Sequence, residues 1–149
     1  MTETIRRATP GDLRAILSLY PYLNPGDPVP GNDARVTGAW EKIVADPDHY
    51  YLVAEDATMI VACCVLVIIP NLSRDATPYG LIENVVTHPD YRRQGIGTRL
   101  LHHACETARE RGCYKVMLLS GRKEAHPFYE HAGFDGFSKR GFVKRFDGR

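Results

Sequence analysis

Apolar positions recur along this chain with two periods, and the pattern resolves into short strands and amphipathic helices. Residues 4–8 read as a first strand. Thr9-Pro10-Gly11-Asp12 then reads as a helix start, with a threonine cap, proline at the first helical position and an acid at the third. Leu13, Ile16, Leu17 and Tyr20 follow at helical spacing, and Pro21 is expected to end this helix. Residues 24–31 are a Pro- and Gly-rich loop. A second helix follows Asn32-Asp33, carrying Val36, Trp40, Ile43 and Val44 on one face, and Asp46-Pro47-Asp48 stops it. Strands are predicted at 50–55 and 59–69, joined by the tight Asp56-Ala57-Thr58, followed by a polar loop at 70–78 and a strand at 80–87. A helix over 98–111 buries Leu100, Leu101, Ala104, Cys105 and Ala108, and Gly112 is its natural stop. A strand at 114–119, a short helix at 126–132 capped by Gly133, and two last strands at 134–138 and 142–146 complete the chain. The order β-α-α-β-β-β-α-β-α-β-β, without repeat or linker, predicts a single domain over 1–149. Its class is α/β, with three layers around a mixed sheet.

Composition narrows the function classes. Apolar residues make up 44% and charged residues 25%, and the formal net charge is +1, so no global field argues for nucleic acid or membrane as a partner. The longest apolar run, 59–69, is too short to span a bilayer. The N-terminus has no apolar signal region after its charges, so the expected location is the cytoplasm. Cys63, Cys64, Cys105 and Cys113 form no C-x-x-C pair and read as small buried hydrophobes, with Cys63 and Cys64 on opposite faces of their strand. No His, Cys or carboxylate spacing supports a metal site.

Candidate chemistry concentrates in Val85-Val86-Thr87-His88-Pro89-Asp90-Tyr91-Arg92-Arg93-Gln94-Gly95-Ile96-Gly97-Thr98. An apolar strand there enters a basic, glycine-bearing corner that opens a helix. Gly95 and Gly97 permit positive φ and close approach of a ligand. The first helical amides have no internal partners and favour an anion, and Arg92 and Arg93 add formal charge. A phosphate-bearing ligand is the expected occupant. The nucleotide P-loop is excluded because no G-K-[ST] follows Gly95, and the dinucleotide fingerprint because its third glycine is absent.

What remains resembles the pyrophosphate turn of the GNAT superfamily of acyl-CoA-dependent N-acyltransferases, [QR]-x-x-G-x-[GA], met by Arg92, Gly95 and Gly97. Downstream, Phe128-Tyr129-Glu130-His131-Ala132-Gly133-Phe134 resembles the F-Y-E-x-x-G-F signature near the end of such domains. The resemblance implies a GNAT-type α/β/α fold around a largely antiparallel twisted sheet. It implies acetyl-CoA as co-substrate, contacted by Val85, Val86, Thr87, Arg92, Arg93, Gln94, Gly95, Ile96, Gly97, Thr98 and Phe128. It implies direct transfer of acetyl to the primary amine of a small molecule, with no metal. The backbone of 85–87 would part from the next strand and bind the acetyl carbonyl.

Two side chains are assigned catalytic roles on the same basis. Glu83, four residues before Thr87 on an apolar strand, is the candidate base that takes the ammonium proton. Tyr129 is the candidate acid, since a phenol holds its proton at neutral pH and can give it to a thiolate. Asn84 is a candidate acceptor contact, and loops 21–33 and 70–79 are expected to shape the acceptor pocket. Ile82-Glu83-Asn84-Val85-Val86, Gly112-Cys113-Tyr114-Lys115-Val116 and Phe128-Tyr129-Glu130 are similar to glucosamine-6-phosphate N-acetyltransferases. Asn84 departs from their pattern, which has an acid at that position; Leu119-Ser120-Gly121-Arg122 also replaces their acidic residues beyond the fifth strand. Arg122 stands where many relatives carry asparagine. Two alternatives stay open: acetylation of a protein N-terminus or lysine, and a non-catalytic CoA-binding regulatory module. The general tendency of soluble chains to pair adds a homodimer to the expectations.

Overall fold

The computed structural model describes residues 3–28, 30–31 and 33–149. Asn32, which with Asp33 precedes the predicted second helix, and Val29 of the loop before it lie outside them. Chain contacts divide into two compact units, Met1–Leu118 and Leu119–Arg149.

The first unit is a five-stranded sheet in the order β1-β2-β3-β4-β5. Its strands are β1 (Thr4–Arg7), β2 (His49–Asp56), β3 (Met59–Ile69), β4 (Tyr79–Thr87) and β5 (Val116–Met117). The first four pair antiparallel and β5 lies parallel to β4. The helices are α1 (Leu13–Leu23), α2 (Ala34–Ala45), the four-residue turn α3 (Ser73–Ala76) and α4 (Ile96–Glu110). Val53 and Val65 on β2 and β3 are nearly or fully buried, which explains their continuous apolar runs. One face packs Ile16, Leu19 and Trp40 of α1 and α2 on Val53, Ile60, Cys63 and Val86. The opposite face meets α4, where Ala108 lies against Leu66 and Val116 around Gly80. A Cβ at Gly80 would meet Leu66 Cδ1 at 3.1 Å, so this glycine permits the close approach of helix and sheet. Cys63 faces α1 and α2 while Cys64 faces α4, as alternation requires.

Several local expectations are corrected. Pro21 lies inside α1, which runs on to Leu23. Proline there removes one bond in the last turn, and the Asn24 amide still closes on the Tyr20 carbonyl at 3.0 Å. The loop at 70–78 contains α3, where Arg74, Asp75 and Ala76 hold left-handed φ of 54°, 62° and 58°. β5 covers only two of the six residues predicted at 114–119. α4 begins at Ile96 rather than Thr98, and Gly97, inside its first turn, is not among the positive-φ glycines.

The second unit carries α5 (His126–His131), which stops at Gly133 (φ 96°) as expected. Phe128 and Phe134 pack edge-on against Tyr129, at 4.9 and 6.4 Å between ring centroids. The strands predicted at 134–138 and 142–146 are absent among the described residues. The Asp135 carboxylate instead accepts the Phe137 and Ser138 amides at 2.9 and 3.2 Å, a local turn that competes with a ladder.

Candidate active site

The register of β4 contains one extra residue. Val65 pairs with Glu83 and Cys63 with Val86, so two steps on β3 match three on β4. This is a β-bulge, and Asn84 supplies it by adopting φ +53°. Asparagine tolerates the left-handed region better than most residues. In a regular strand Glu83 and Val86 would point to opposite faces. The bulge turns both toward the α1/α2 face, where Tyr51, Val65 and Glu83 form one cross-strand row. Glu83 and Asn84 are exposed, Val85 and Thr87 half-buried, and Val86 buried.

On its other side β4 pairs with β5 only at Gly80↔Val116 and Leu81↔Met117. From Ile82 onward no strand pairs with that edge among the described residues. The His88 amide donates to the Val61 carbonyl of β3 at 2.8 Å. By alternation the backbone polar groups of Thr87 face the open edge, and there the Thr87 carbonyl accepts Nε of Arg92 at 3.1 Å.

The corner that follows is built for close approach. Arg92, Arg93, Gln94 and Gly95 are all exposed. Arg93 and Gly95 both hold left-handed φ, 61° and 79°. Gly95 is the N-cap of α4, and the Arg99 amide bonds its carbonyl at 3.0 Å. The amides of Ile96, Gly97 and Thr98 are the first of the helix and have no carbonyl a turn earlier within it. A Cβ at Gly95 would lie 2.7 Å from Nη1 of Arg99. Arg99 is ion-paired with Glu3 and holds that carboxyl below its usual range. Glu3, Asp56, Gln94, Ile96 and Arg99 line a cavity of about 150 Å³ beside the corner. The residues present therefore suit a phosphate group, through exposed arginines, free helix amides and a glycine where a side chain would intrude.

A polar cluster that the sequence did not reveal lies on the α1/α2 face. The Tyr20 and Tyr51 hydroxyls are 2.9 Å apart. The exposed Asn84 lies on β4, beyond the intervening β3. Burial pushes both phenols up, so they remain neutral. Tyr20 is legible in sequence only as a helical core position and Tyr51 only as a strand residue; nothing local links the two. Tyr129 and Phe128 lie half-buried on α5 in the second unit. Among the described residues no group of three or more His, Cys, Asp or Glu gathers as metal ligands, and no helix is long and apolar enough to cross a membrane.

A helix start with free amides, set beside a parted sheet edge in an α/β layer structure, is the arrangement that the resemblance read from the sequence implies. The chain belongs to the Acetyltransferase (GNAT) family, whose model matches residues 16–134. It is 45% identical over 75 residues to a glucosamine 6-phosphate N-acetyltransferase of Trypanosoma brucei brucei, a match covering 50% of each chain. The chain thus spans about half the length of that relative. It is 33% identical over 124 residues to glucosamine 6-phosphate N-acetyltransferase 1 of Oryza sativa subsp. japonica, covering 81% of this chain and 73% of the other. Among solved structures, a putative acetyltransferase from Agrobacterium tumefaciens superposes with a TM-score of 0.91 at 43% identity, covering 96% of this chain and 99% of that one.

Proposed function

We propose that this chain is an acetyl-CoA-dependent N-acetyltransferase that moves acetyl directly to a primary amine of a small molecule, with an amino-sugar phosphate as the foremost acceptor. The observation that carries this reading is the Asn84 bulge, which turns Glu83 to one face just where β4 parts from β5 and runs into the Arg92–Thr98 corner. Acetyl-CoA supplies the activated acyl group as a thioester. Arg92, Arg93 and Gln94, with the amides of Gly95, Ile96, Gly97 and Thr98, hold its phosphates. Val85, Val86 and Thr87 lend backbone groups to the acetyl carbonyl and pantetheine arm, and an amide aimed at a developing oxyanion is a large catalytic contribution. Phe128 adds an apolar contact.

Glu83 takes the proton of the acceptor ammonium, which frees the nitrogen lone pair. The new N–C bond forms as the C–S bond breaks, Tyr129 gives its proton to the departing thiolate, and the second proton lost by the acylated nitrogen restores the phenol. No cysteine is needed as an acyl carrier. Asn84 remains the proposed acceptor contact at the bulge. The names of the trypanosomal and rice relatives support the amino-sugar phosphate class. Free thiols at Cys63, Cys64, Cys105 and Cys113 suit a reducing compartment, and the cytoplasm is the proposed location.

A panel of amines with acetyl-CoA, read by release of free thiol, tests the proposal. It includes glucosamine-6-phosphate, aminoglycosides, polyamines, amino acids and short peptides. Turnover of glucosamine-6-phosphate is expected. Tyr129→Phe should lower kcat by about 10²-fold or more while acetyl-CoA affinity is kept. Glu83→Gln should remove the acid limb of the pH–rate profile. Acetylation of peptides alone would replace the acceptor class, and acetyl-CoA binding without turnover of any amine would overturn the enzymatic reading.

A further inference from the structure

Arg99, in the first turn of α4, is held through two of its three guanidinium nitrogens. Nε donates to Oε1 of Glu3 at 2.5 Å and Nη2 to Oε2 at 3.1 Å. Such a two-point pair fixes the plane of a guanidinium as well as its place. Nη1 meets no acceptor among the described residues. It stands 2.7 Å from where a Cβ would sit on Gly95, the N-cap of the same helix. The unspent donors therefore lie against the corner whose amides, those of Ile96, Gly97 and Thr98, have no carbonyl a turn earlier in the helix. Burial is uneven across the pair: the Glu3 side chain is 5% exposed and that of Arg99 47%. The acid is the anchored end, and the guanidinium is the end a ligand can reach. Asp56 joins Glu3, Gln94, Ile96 and Arg99 around the adjoining cavity. The two carboxylates, Glu3 and Asp56, repel a phosphate from that cavity, which leaves the Gly95 side of Arg99 as the place for one. Gly95 gains a second reason to be bare, since a side chain there would displace Nη1.

We propose that Arg99 is a further phosphate ligand of the corner, donating through Nη1, and that Glu3 is the residue that positions it. The proposal rests on the reading of Arg92–Thr98 as the acetyl-CoA phosphate site and adds to it a cation from within the helix. Arg92 and Arg93 precede α4, and Nε of Arg92 is already spent on the Thr87 carbonyl. Arg99 is instead set in advance by a residue 96 positions away. A fixed donor loses less freedom on binding than a mobile surface side chain, so more of its interaction appears as affinity. Charge and position then make opposite predictions for Glu3. If charge alone counted, removing the Glu3 carboxylate would strengthen the binding of an anion. If Glu3 positions Arg99, removing it weakens binding although the protein becomes more positive.

Calorimetric titration with acetyl-CoA, and with inorganic pyrophosphate as the phosphate probe, separates the two. The native chain, Glu3→Gln, Arg99→Gln and Arg99→Lys are compared, each first shown to melt cooperatively. Arg99→Gln should weaken acetyl-CoA binding about tenfold, the size of one charge-assisted hydrogen bond. Arg99→Lys should lose about as much, because one ammonium cannot hold Glu3 at two points and reach the Gly95 side as well. Glu3→Gln should weaken binding about 3- to 5-fold through lost preorganisation. ¹⁵N spectra of the Arg99 guanidinium give a readout independent of turnover: pyrophosphate should shift the Nη1 signal in the native chain and shift it far less in Glu3→Gln. Tighter acetyl-CoA binding in Glu3→Gln, native affinity in Arg99→Gln, or a native Nη1 signal that pyrophosphate leaves unmoved would overturn the proposal. If Glu3→Gln fails to fold, the two Arg99 variants and the native spectra decide it. If the native chain binds acetyl-CoA but acetylates no amine, the enzymatic reading falls while the titrations still decide the role of Arg99. If it binds neither acetyl-CoA nor pyrophosphate, the phosphate corner and the proposal fall together.

Discussion

Cys63 and Cys64 show how one residue type takes its chemistry from its surroundings. They are adjacent in β3, yet one packs under α1 and α2 and the other against α4. Burial pushes the Cys63 thiol up to about 12 and raises that of Cys64 as well. The thiolate is the reactive form, so neither is a nucleophile at neutral pH. Iodoacetamide at pH 8 should label Cys113 first, then the half-buried Cys105, and Cys63 and Cys64 only after unfolding. Mass spectrometry of the labelled peptides checks the order. Early labelling of Cys63 would reopen a role for it under Tyr20 and Tyr51. Asn84 makes the same point for polar residues, since its identity suggests an acceptor contact while its φ makes it the hinge of the strand.

Elements are tied together here by a small number of charged contacts and by backbone that only glycine adopts easily. Arg6 of β1 bonds Asp12, just before α1, at 2.7 Å and Glu55 of β2 at 3.0 Å. The Arg6 guanidinium holds the Asp12 carboxyl below the usual carboxylate range. A carboxyl lowered in the native state adds stability above its unfolded value of about 3.9, and that stability is lost as the pH falls through the native value. Asp12→Asn should therefore cost about 1 kcal/mol at pH 7, solvent screening keeping it small. Urea midpoints of the two proteins should converge as the pH drops below the carboxylate range. At the start of α4, Gly95→Ala would force alanine to φ +79° beside Arg99. The Arg99 side chain can swing aside but the backbone cannot relax. A loss of about 1–2 kcal/mol in stability is expected, with acetyl-CoA affinity by calorimetry down about tenfold.

At the scale of the whole molecule, the aromatic side chains near the C-terminus bear on its oligomeric state. Phe137, Phe142 and Phe146 are 86%, 86% and 91% exposed. An apolar set this open marks an interaction surface more often than a solvated one, and a two-fold pair is the commonest use. Light scattering after size exclusion should give twice the 16.7 kDa of one chain, and Phe142→Lys with Phe146→Lys should return it to one. A monomer at all concentrations would remove the dimer.

Much of this protein is determined by sequence alone, because much of it is local. The order of the five strands and of the longer helices through α5, the stops at Gly112 and Gly133 and the corner from Arg92 to Thr98 follow from side-chain period, glycine freedom and unpaired helix amides, all of which act within a few residues. Strand alternation by itself sets Cys63 and Cys64 on opposite faces. Other features needed the tertiary structure. Pro21 continues a helix because the last turn has little left to lose. The runs at 134–138 and 142–146 have strand-like composition, but a strand exists only with a partner, and none pairs with them among the described residues. The Asn84 bulge is invisible in Ile82-Glu83-Asn84-Val85-Val86, since an extra residue is defined only by the register of β3 beside it. The meeting of Tyr20 with Tyr51 spans 31 residues of chain. Contacts of that separation are set by how α1 and β2 pack on one sheet face, which no local pattern encodes.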